Sequence, residues 1–359
     1  MNYVHILILI GLLLSGSIEI VDDNILNHSI TYKDITIRSV SDSSLDYQIE
    51  SRRVPAEWES HAATWMQWPG WYESAMCPAF ADIIDVIQDY EPVNILVTSS
   101  IHELVAKIQL IISGIPLYNI TWQIIPIDNS WMRDNGPIYV TDDTSIWIQN
   151  WKFDAWGGNF GPRIKFENDD LVPVRVAEYL GMVVEDYQDY VLEKGNLEFN
   201  GEGTLVLNWD CQDDRNPGMA ENEHEMILKN AFGVNQIIWA YGHHRSDGTT
   251  GHIDGTARFI DHDTIVVADY YHSETEKNLA ISCEESGLEV LRYQGDPNWL
   301  VGNGFVAAMS EGIFVDNALK TQIESFFPNR DVYMIDARSI ANAGGGIHCV
   351  TNDQPAFDN

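Results

Sequence analysis

The sequence predicts an α/β fold in a single large domain, on three observations. Apolar side chains recur at helical spacing in Phe80, Ile83, Ile84 and Ile87, as they do on one face of an amphipathic helix. Runs rich in β-branched residues, such as 93–97, lie between the helical stretches, which is typical of strands that alternate with helices. Gly and Asn cluster at the ends of the strand-like runs, and no repeat suggests a solenoid.

The N-terminal 53 residues differ from the rest of the chain. An apolar run from Ile6 to Leu14 precedes the small residues Ser15, Gly16 and Ser17, the pattern of a secretory signal, although no Lys or Arg comes before it. A buried N-terminal strand is the alternative. We expect a signal peptide at 1–20, a polar extension at 21–53 and the main domain at 54–359. The protein is then secreted or periplasmic if the signal functions, and cytoplasmic otherwise.

The other elements of the main domain follow in chain order. Ser100 and Glu103 form a candidate capping box for a helix after the first strand. Further strands are predicted where β-branched and aromatic residues concentrate, at 146–153, 204–207, 257–260 and 264–267. The turn Asp261-His262-Asp263 would join the last two runs as a hairpin. A final helix is predicted from the spacing of Leu319, Ile323, Phe326 and Phe327.

Charge limits the partners of this protein. The 359 residues include 54 Asp and Glu against 20 Lys and Arg, a formal charge of −34, and 45% are hydrophobic. The hydrophobic content argues against disorder, and the negative field argues against nucleic acid or an anionic membrane as a partner. Such a field attracts a small cationic substrate. Acidity that only keeps the protein soluble is the alternative.

A cysteine near the C-terminus follows three glycines, in Ala343-Gly344-Gly345-Gly346-Ile347-His348-Cys349. Glycines permit tight turns and close backbone approach, so this segment can present a thiol, and backbone N–H groups, to a reacting centre. A buried structural cysteine is the alternative. The other cysteines, Cys77, Cys211 and Cys283, form no CxxC pair, so zinc or dithiol chemistry is not indicated, and disulfide pairing stays open.

A reactive cysteine needs a cation or a base beside it. The best candidate is His252 in Gly251-His252-Ile253-Asp254-Gly255, where strand alternation would place His252 and Asp254 on one face. The adjacent His243 and His244 would face opposite ways on a strand, and no ligand pattern accompanies them. We therefore predict structural or loop roles for that pair and no metal site.

Two further segments could line a pocket. In Trp131-Met132-Arg133-Asp134-Asn135-Gly136-Pro137, Trp131 offers an apolar wall and Asp134 a carboxylate. Glu193 precedes a turn that leads to the 204–207 strand. The alternatives are an N-capping aspartate and a surface glutamate. A thiol, an imidazole and several carboxylates fit a papain-like hydrolase less well than an enzyme for a planar cation such as a guanidinium, which carboxylates bind through paired N–H groups.

These motifs together resemble those of agmatine deiminases and the related bacterial peptidylarginine deiminases. The resemblance extends from about Val54 to Pro355. The motifs that carry it, in order, are Pro55-Ala56-Glu57-Trp58-Glu59, Thr64-Trp65-Met66-Gln67-Trp68-Pro69, Trp131 to Pro137, Phe153-Asp154-Ala155-Trp156-Gly157-Gly158, Gly201-Glu202-Gly203-Thr204, Gly251-His252-Ile253-Asp254 and Gly345-Gly346-Ile347-His348-Cys349.

The resemblance implies a pentein fold, in which five ββαβ units surround a central funnel. It also implies hydrolytic deimination without a metal or an organic cofactor, through a thiouronium adduct on sulfur. The roles it implies are Cys349 as nucleophile, His252 as general acid and base, Asp134 and Asp254 as guanidinium ligands, Glu193 as the partner that orients His252, and Trp131, Asn303 and Gly346 in the substrate site.

Departures from the family pattern leave the substrate open. Lys194 stands where these agmatine enzymes usually have glycine, and Glu198 where histidine is common. Arg163 and Lys165 could bind the carboxylate of free or peptidyl arginine, unless they belong to a solvated loop. Agmatine is the leading substrate, with a secreted peptidylarginine or free arginine deiminase as the alternative. An amidinotransferase, a non-catalytic binding pentein and a homo-oligomer are also left open.

Overall fold

Five small β-sheets follow one another along the chain in the computed structural model, which describes residues 37–38, 52–245, 247–269 and 274–357. All these residues belong to one compact unit spanning Thr36–Asn359. The strands are β1 (Ile37–Arg38), β2 (His61–Gln67), β3 (Val93–Val97), β4 (Ile120–Ile124), β5 (Ile138–Thr141), β6 (Ile146–Lys152), β7 (Val184–Val191), β8 (Glu198–Phe199), β9 (Thr204–Asn208), β10 (Gln236–Ala240), β11 (Ala257–Phe259), β12 (Thr264–Ala268), β13 (Glu289–Tyr293), β14 (Leu300–Gly302), β15 (Phe305–Met309), β16 (Asp331–Ile335) and β17 (Thr351–Pro355).

Most of the α-helices connect strands of one sheet. The α-helices are α1 (Cys77–Gln88), α2 (Ser100–Ile112), α3 (Met132–Asn135), α4 (Val172–Leu180), α5 (Trp209–Arg215), α6 (Glu221–Phe232), α7 (Glu274–Glu285), α8 (Asp316–Phe326) and α9 (Arg338–Ala341). Short 3-10 helices lie at Trp71–Met76, Trp156–Gly158, Asp169–Leu171, Lys194–Asn196, Ile253–Gly255 and His348–Val350.

One strand pattern recurs in all five sheets. β5 pairs antiparallel with β6, and β6 pairs parallel with β7 after the crossover helix α4. The strand sets β8 to β10, β11 to β13 and β14 to β16 repeat this pattern. In the last sheet the two ends of the domain combine, because β17 pairs antiparallel with β2, which is parallel to β3. The five ββαβ units implied by the family resemblance are therefore present.

The predicted elements agree with the structure except at one helix start. The strand predictions coincide with β3, β6, β9 and the β11–β12 hairpin, and the apolar stripe at Phe80 lies on α1. The cap of α2 was predicted one residue too late. Ser99 is the N-cap, and its hydroxyl accepts a hydrogen bond from the amide of His102. Ser99 and Ser100 have equal capping ability, so only the backbone geometry distinguishes them.

Apolar side chains fill the space between each sheet and its helices, as in the cluster of α1, β3 and β15 around Phe80, Ile95 and Phe305. Buried polar and charged side chains from all five units instead come together in one site. The apolar layers thus hold the units together and leave a polar centre where the chain segments between units converge.

Some predictions fall on residues that the structure does not describe. The signal peptide at 1–20 lies wholly outside the described residues, and the extension at 21–53 lies almost wholly outside them. Within the described part, none of the helices has the length and apolar character needed for a membrane span. Cys77, Cys211, Cys283 and Cys349 are all buried and free of disulfides.

Candidate active site

The segments that immediately precede the first strand of each unit converge on one site. Each of these segments is short, and several of them form a single helical turn. The residues contributed in this way are Asp134 before β5, Glu193 before β8, His252 and Asp254 before β11, Asn298 before β14 and Cys349 before β17. All six are buried.

The Cys349 thiol lies between an amide and a carboxylate. Asn298 Nδ2 donates to Sγ at 3.2 Å, and Sγ lies 3.6 Å from Asp254 Oδ2. Burial raises the pKa of the Cys349 thiol well above its usual value, and Asp254 and Asp134 raise it further. The backbone N–H of Gly346 and the Asn298 amide act in the opposite direction. The empty site therefore favours the neutral thiol, and a bound cation would favour the thiolate.

His252 is held between two carboxylates. Its Nε2 lies 2.7 Å from Glu193 Oε2, and its Nδ1 lies 3.5 Å from Asp134 Oδ1. Burial alone would lower the pKa of His252, but Asp134 and Glu193 raise it well above the usual value. The imidazolium is thus the stable form at neutral pH, and it can supply a proton.

Glu193 is itself fixed by a buried arginine. Arg215 Nε donates to Glu193 Oε1 at 2.7 Å, and Arg215 Nη2 donates to Oε2 at 3.2 Å. Burial opposes the charge of Glu193, but its contacts with His252 and Arg215 outweigh burial and lower its pKa. The role of Glu193 as the partner that orients His252 stays a prediction.

The two candidate guanidinium ligands have different surroundings. Asp134 accepts hydrogen bonds from Trp156 Nε1 at 2.8 Å and from the Gly195 amide at 3.2 Å, and burial raises its pKa to about 6. Asp254 Oδ2 lies 2.7 Å from His348 Nδ1. Burial would raise the pKa of Asp254, but His348 lowers it below the usual value. Asp254 is therefore the permanently charged member of the pair.

Aromatic side chains and glycines shape the site. Trp131 is half buried and packs edge to face against Trp156, with ring centroids 6.4 Å apart. A Cβ at Gly345 would lie 2.4 Å from the Trp131 ring and 3.1 Å from Cys349 Cβ. A Cβ at Gly346 would lie 2.2 Å from Asn298 Oδ1. A side chain at either position would clash with these neighbours. Glycine is therefore required here by close packing and not by a positive φ.

The structure corrects the prediction for Asn303. The Asn303 amide bonds both backbone groups of His61, accepting from its N–H and donating to its carbonyl, each at 2.9 Å. Asn303 follows β14, whereas the asparagine beside the thiol is Asn298, which precedes β14. The two residues lie at opposite ends of the strand, so Asn303 cannot share the site of Asn298.

The basic loop residues lie outside this centre. Arg163 and Lys165 are exposed, while the alternate residues Ile164 and Phe166 pack toward Trp131 and Trp156. The structure therefore places the loop beside the aromatic wall, with its two cations facing solvent. A role for them in binding a carboxylate stays a prediction.

A buried charge network lies behind the site and includes the two residues that depart from the family pattern. Lys194 Nζ donates to Asp353 Oδ1 at 2.8 Å, and Arg258 Nε donates to Glu198 Oε2 at 2.9 Å. Glu57 connects these pairs, because it accepts from Nη2 of Arg258 and from Nη2 of Arg133, and Arg133 also donates to Asp353. The Glu57 carboxylate also contacts Nε2 of His348. Sequence reasoning missed this network, since its members lie far apart in the sequence.

One trio in the described residues has metal-ligand character. Ligand atoms of Glu193, Cys211 and His252 lie within 4.8 Å of one another. Arg215 already donates to both Glu193 oxygens, so a metal ion there would have to displace a buried guanidinium. This donor set therefore fits an ion poorly.

Comparison with known proteins agrees with this geometry. The family model for Porphyromonas-type peptidyl-arginine deiminase matches residues 53–296 and 293–355. The chain belongs to that family. Among curated relatives of this family member, the agmatine deiminase of Pseudomonas aeruginosa is 28% identical over 357 residues, covering 85% of this chain and 95% of that protein. The agmatine deiminase of Stutzerimonas stutzeri is also 28% identical, covering 84% and 95%.

Solved structures show the same fold. The agmatine deiminase of Enterococcus faecalis has a TM-score of 0.78 and 23% identity, covering 86% of this chain and 97% of that one. A substrate-bound agmatine deiminase of C. jejuni has a TM-score of 0.76 and 19% identity, with the same coverage. The fold of this family member is therefore the pentein fold of those enzymes.

Proposed function

We propose that this protein hydrolyses the guanidino group of agmatine to give N-carbamoylputrescine and ammonia. The observation that carries the proposal is the convergence of Cys349, His252, Asp134 and Asp254 on one buried site. A thiol in contact with one carboxylate, with a second carboxylate in the same site, suits a planar cation, whose N–H groups pair with carboxylate oxygens. The curated relatives named above as agmatine deiminases support the choice of substrate.

The geometry supports a covalent mechanism in two halves. The bound guanidinium offsets the carboxylates that keep Cys349 protonated, so the thiol loses its proton to solvent and the thiolate attacks the guanidinium carbon. The His252 imidazolium protonates the departing nitrogen, which leaves as ammonia, and a thiouronium remains on sulfur. Neutral His252 then removes one proton from water, whose oxygen attacks the same carbon. The C–S bond of that adduct breaks as the remaining hydroxyl proton passes to sulfur, which releases the ureido product and restores the thiol.

Charge and the surface loop support agmatine over arginine. Agmatine carries two positive charges and no carboxylate, so the field of a chain with a formal charge of −34 attracts both ends. Arginine brings a carboxylate that would need a cation, and Arg163 and Lys165, the two basic residues of the loop beside the aromatic wall, face solvent. Hydrolysis of peptidyl arginine to citrulline is the alternative that the test must separate.

The test offers agmatine, free arginine and a peptide ending in arginine side by side and measures ammonia and ureido product. We expect turnover of agmatine with a kcat/KM at least tenfold above that of the other two. The double variant Arg163→Ala, Lys165→Ala should leave agmatine turnover unchanged. If the wild-type protein prefers the peptide and the double variant loses this preference, the protein is a peptidylarginine deiminase. If none of the three substrates is hydrolysed and a haloacetamidine does not label Cys349, the protein is a binding protein and not an enzyme.

We also propose export from the cytoplasm. The apolar run from Ile6 to Leu14 before small residues supports it. N-terminal sequencing of the protein from its native source tests this proposal. A mature N-terminus between residues 15 and 25 is the expected result, and an intact Met1 would contradict it.

A further inference from the structure

His348 precedes Cys349, and each of its polar atoms has a hydrogen-bond partner. The His348 amide donates to Asn298 Oδ1 at 3.0 Å, and its carbonyl accepts from Arg133 Nε at 3.3 Å. In the ring, Nδ1 lies 2.7 Å from Asp254 Oδ2 and Nε2 lies 2.7 Å from Glu57 Oε2. The His348 ring therefore bridges Asp254 and Glu57, with one ring nitrogen beside each carboxylate.

Glu57 is anchored independently of His348. Its Oε1 accepts from the Val301 amide at 2.9 Å and from Arg258 Nη2 at 2.8 Å, and its Oε2 accepts from Arg133 Nη2 at 3.1 Å. Burial alone would raise the pKa of Glu57, but Arg258, His348 and Arg133 hold it well below its usual range. Glu57 thus presents a fixed negative oxygen to His348, with contacts to three units behind it.

Asp254 has no comparable anchor of its own. Among the described residues, the hydrogen-bond partners of its side chain are His348 and the Cys349 thiol. Both partners engage Oδ2, which leaves Oδ1 for a ligand. Asp134, in contrast, is held by Trp156 and Gly195. The orientation of Asp254 therefore depends on the ring of His348.

We propose that His348, held by Glu57, is a positioning residue that fixes Asp254 beside Cys349, so that Oδ1 is oriented for a guanidinium before the substrate binds. His348 itself touches neither the substrate nor the reacting atoms. Pre-orientation of a charged ligand contributes to binding because less freedom is lost when the complex forms. This inference rests on the proposed function, since it assumes that Asp254 binds a guanidino group.

Two variants of His348 separate its two contacts. The amide nitrogen of asparagine occupies nearly the position of histidine Nδ1, and that of glutamine nearly the position of Nε2. His348→Asn therefore keeps a donor for Asp254 and loses the contact with Glu57. His348→Gln keeps a donor for Glu57 and loses the contact with Asp254. Both remove the same ring, so each is the matched control of the other.

The experiment measures agmatine affinity by calorimetry in a Cys349→Ala background, which removes chemistry from the measurement. We expect His348→Gln to weaken binding about tenfold or more, the loss of a charge-assisted hydrogen bond, and His348→Asn to weaken it less than threefold. With Cys349 restored, the His348→Gln effect should fall mainly on KM. Equal losses in both variants, or no loss in either, would overturn the proposal.

A second arm covers the case in which His348→Gln does not fold. Glu57→Gln should weaken agmatine binding in the Cys349→Ala protein by no more than His348→Asn does, which is less than threefold, and should have no further effect when His348→Asn is present, because Glu57 acts through the ring. Independent effects of the two changes would overturn the proposal. Turnover of agmatine by the wild-type protein is measured alongside. Its absence counts against the proposed function, whereas normal turnover with equal affinities counts against the role of His348 alone.

Discussion

At the scale of single residues, the two carboxylates around Cys349 differ in charge state. His348 keeps Asp254 ionised, whereas burial raises the pKa of Asp134 to about 6 although His252 lies 3.5 Å away and acts in the opposite direction. Asp134 therefore titrates just below neutral pH while Asp254 stays charged. A carboxylate must be ionised to pair with a guanidinium, so the affinity of the site for its substrate should follow Asp134 in this range.

This difference predicts how binding depends on pH. Below pH 6 Asp134 is protonated in the empty site, and agmatine must displace that proton to bind. Agmatine binding to the Cys349→Ala protein should therefore weaken about tenfold between pH 7 and pH 5, as one group with a pKa of about 6 requires. Calorimetry at several pH values measures this. Asp134→Asn should bind weakly with little pH dependence, and a wild-type affinity that is flat over this range contradicts the assignment.

Site residues could be predicted from the sequence only where they lie in a distinctive motif. Cys349 follows three glycines, and His252 and Asp254 share one short segment, so composition and spacing single them out. Asn298 has no such context, because Asp296-Pro297-Asn298-Trp299 reads as an ordinary turn. The prediction of Asn303 in Gly302-Asn303-Gly304 came from the family resemblance alone. Which asparagine meets the thiol depends on strand position, which turn composition does not encode.

At the scale of elements, the short turns that precede the first strand of each unit position the side chains of the site. Gly195 lies in the 3-10 turn Lys194–Asn196, and a Cβ there would be 2.5 Å from both Asp134 Oδ1 and His252 Nδ1. The backbone thus approaches two functional side chains at a distance that only glycine permits. The turn Ile253–Gly255 is equivalent in the next unit, but its Gly255 has open space around the Cβ position.

These two glycines provide a matched pair of variants. Gly195→Ala should lower kcat/KM by about a hundredfold or more, because the new methyl displaces the Asp134 carboxylate or the His252 ring from its reacting position. Gly255→Ala should retain wild-type kcat/KM within about threefold. Steady-state kinetics with agmatine measure both values. Similar kinetics for the two variants would show that close packing at Gly195 does not matter for catalysis.

The turn at Lys194 also predicts a stability effect. Lys194 replaces the usual glycine and reaches Asp353 with both side chains about nine-tenths buried. Lys194→Met leaves the Asp353 carboxylate with fewer donors, so we expect a loss of about 3 kcal/mol in the free energy of unfolding. The control is Lys320→Met, which removes a solvent-exposed pair with Glu324 and should cost less than about 1 kcal/mol. Denaturant unfolding measures both, and equal losses would contradict this role of Lys194.

Secondary structure could be predicted from sequence better than the arrangement of the units. Strands such as β3 and β9 are rich in β-branched residues, so their predicted bounds agree closely with those in the structure. The closure of β17 onto β2 joins residues almost 290 positions apart, as in the pair Thr351 and Met66. No local pattern encodes such a pairing, and only the family resemblance anticipated the five-unit ring.

At the scale of the whole molecule, five units place their functional residues around one centre in a strongly acidic protein. The formal charge of −34 produces a field that concentrates a dication near the site. Salt weakens such a field, since the screening length falls from about 10 Å at 0.1 M to about 3 Å at 1 M.

This charge predicts that salt slows the reaction with agmatine. Raising NaCl from 0.05 to 1 M should lower kcat/KM for agmatine several-fold through weaker attraction of the cation. Alkylation of Cys349 by neutral iodoacetamide is the control, and its rate should change by less than twofold. A kcat/KM that is constant or rises with salt would contradict electrostatic attraction as a contribution.

The central claim is that Cys349 carries the guanidino carbon during turnover. Rapid acid quench of the wild-type protein with excess agmatine, followed by mass spectrometry, tests it most directly. We predict a transient mass increase equal to agmatine minus ammonia, located on the peptide that contains Cys349, and none in Cys349→Ala, which should not release ammonia. Turnover without this adduct, or wild-type ammonia release by Cys349→Ala, would contradict the mechanism.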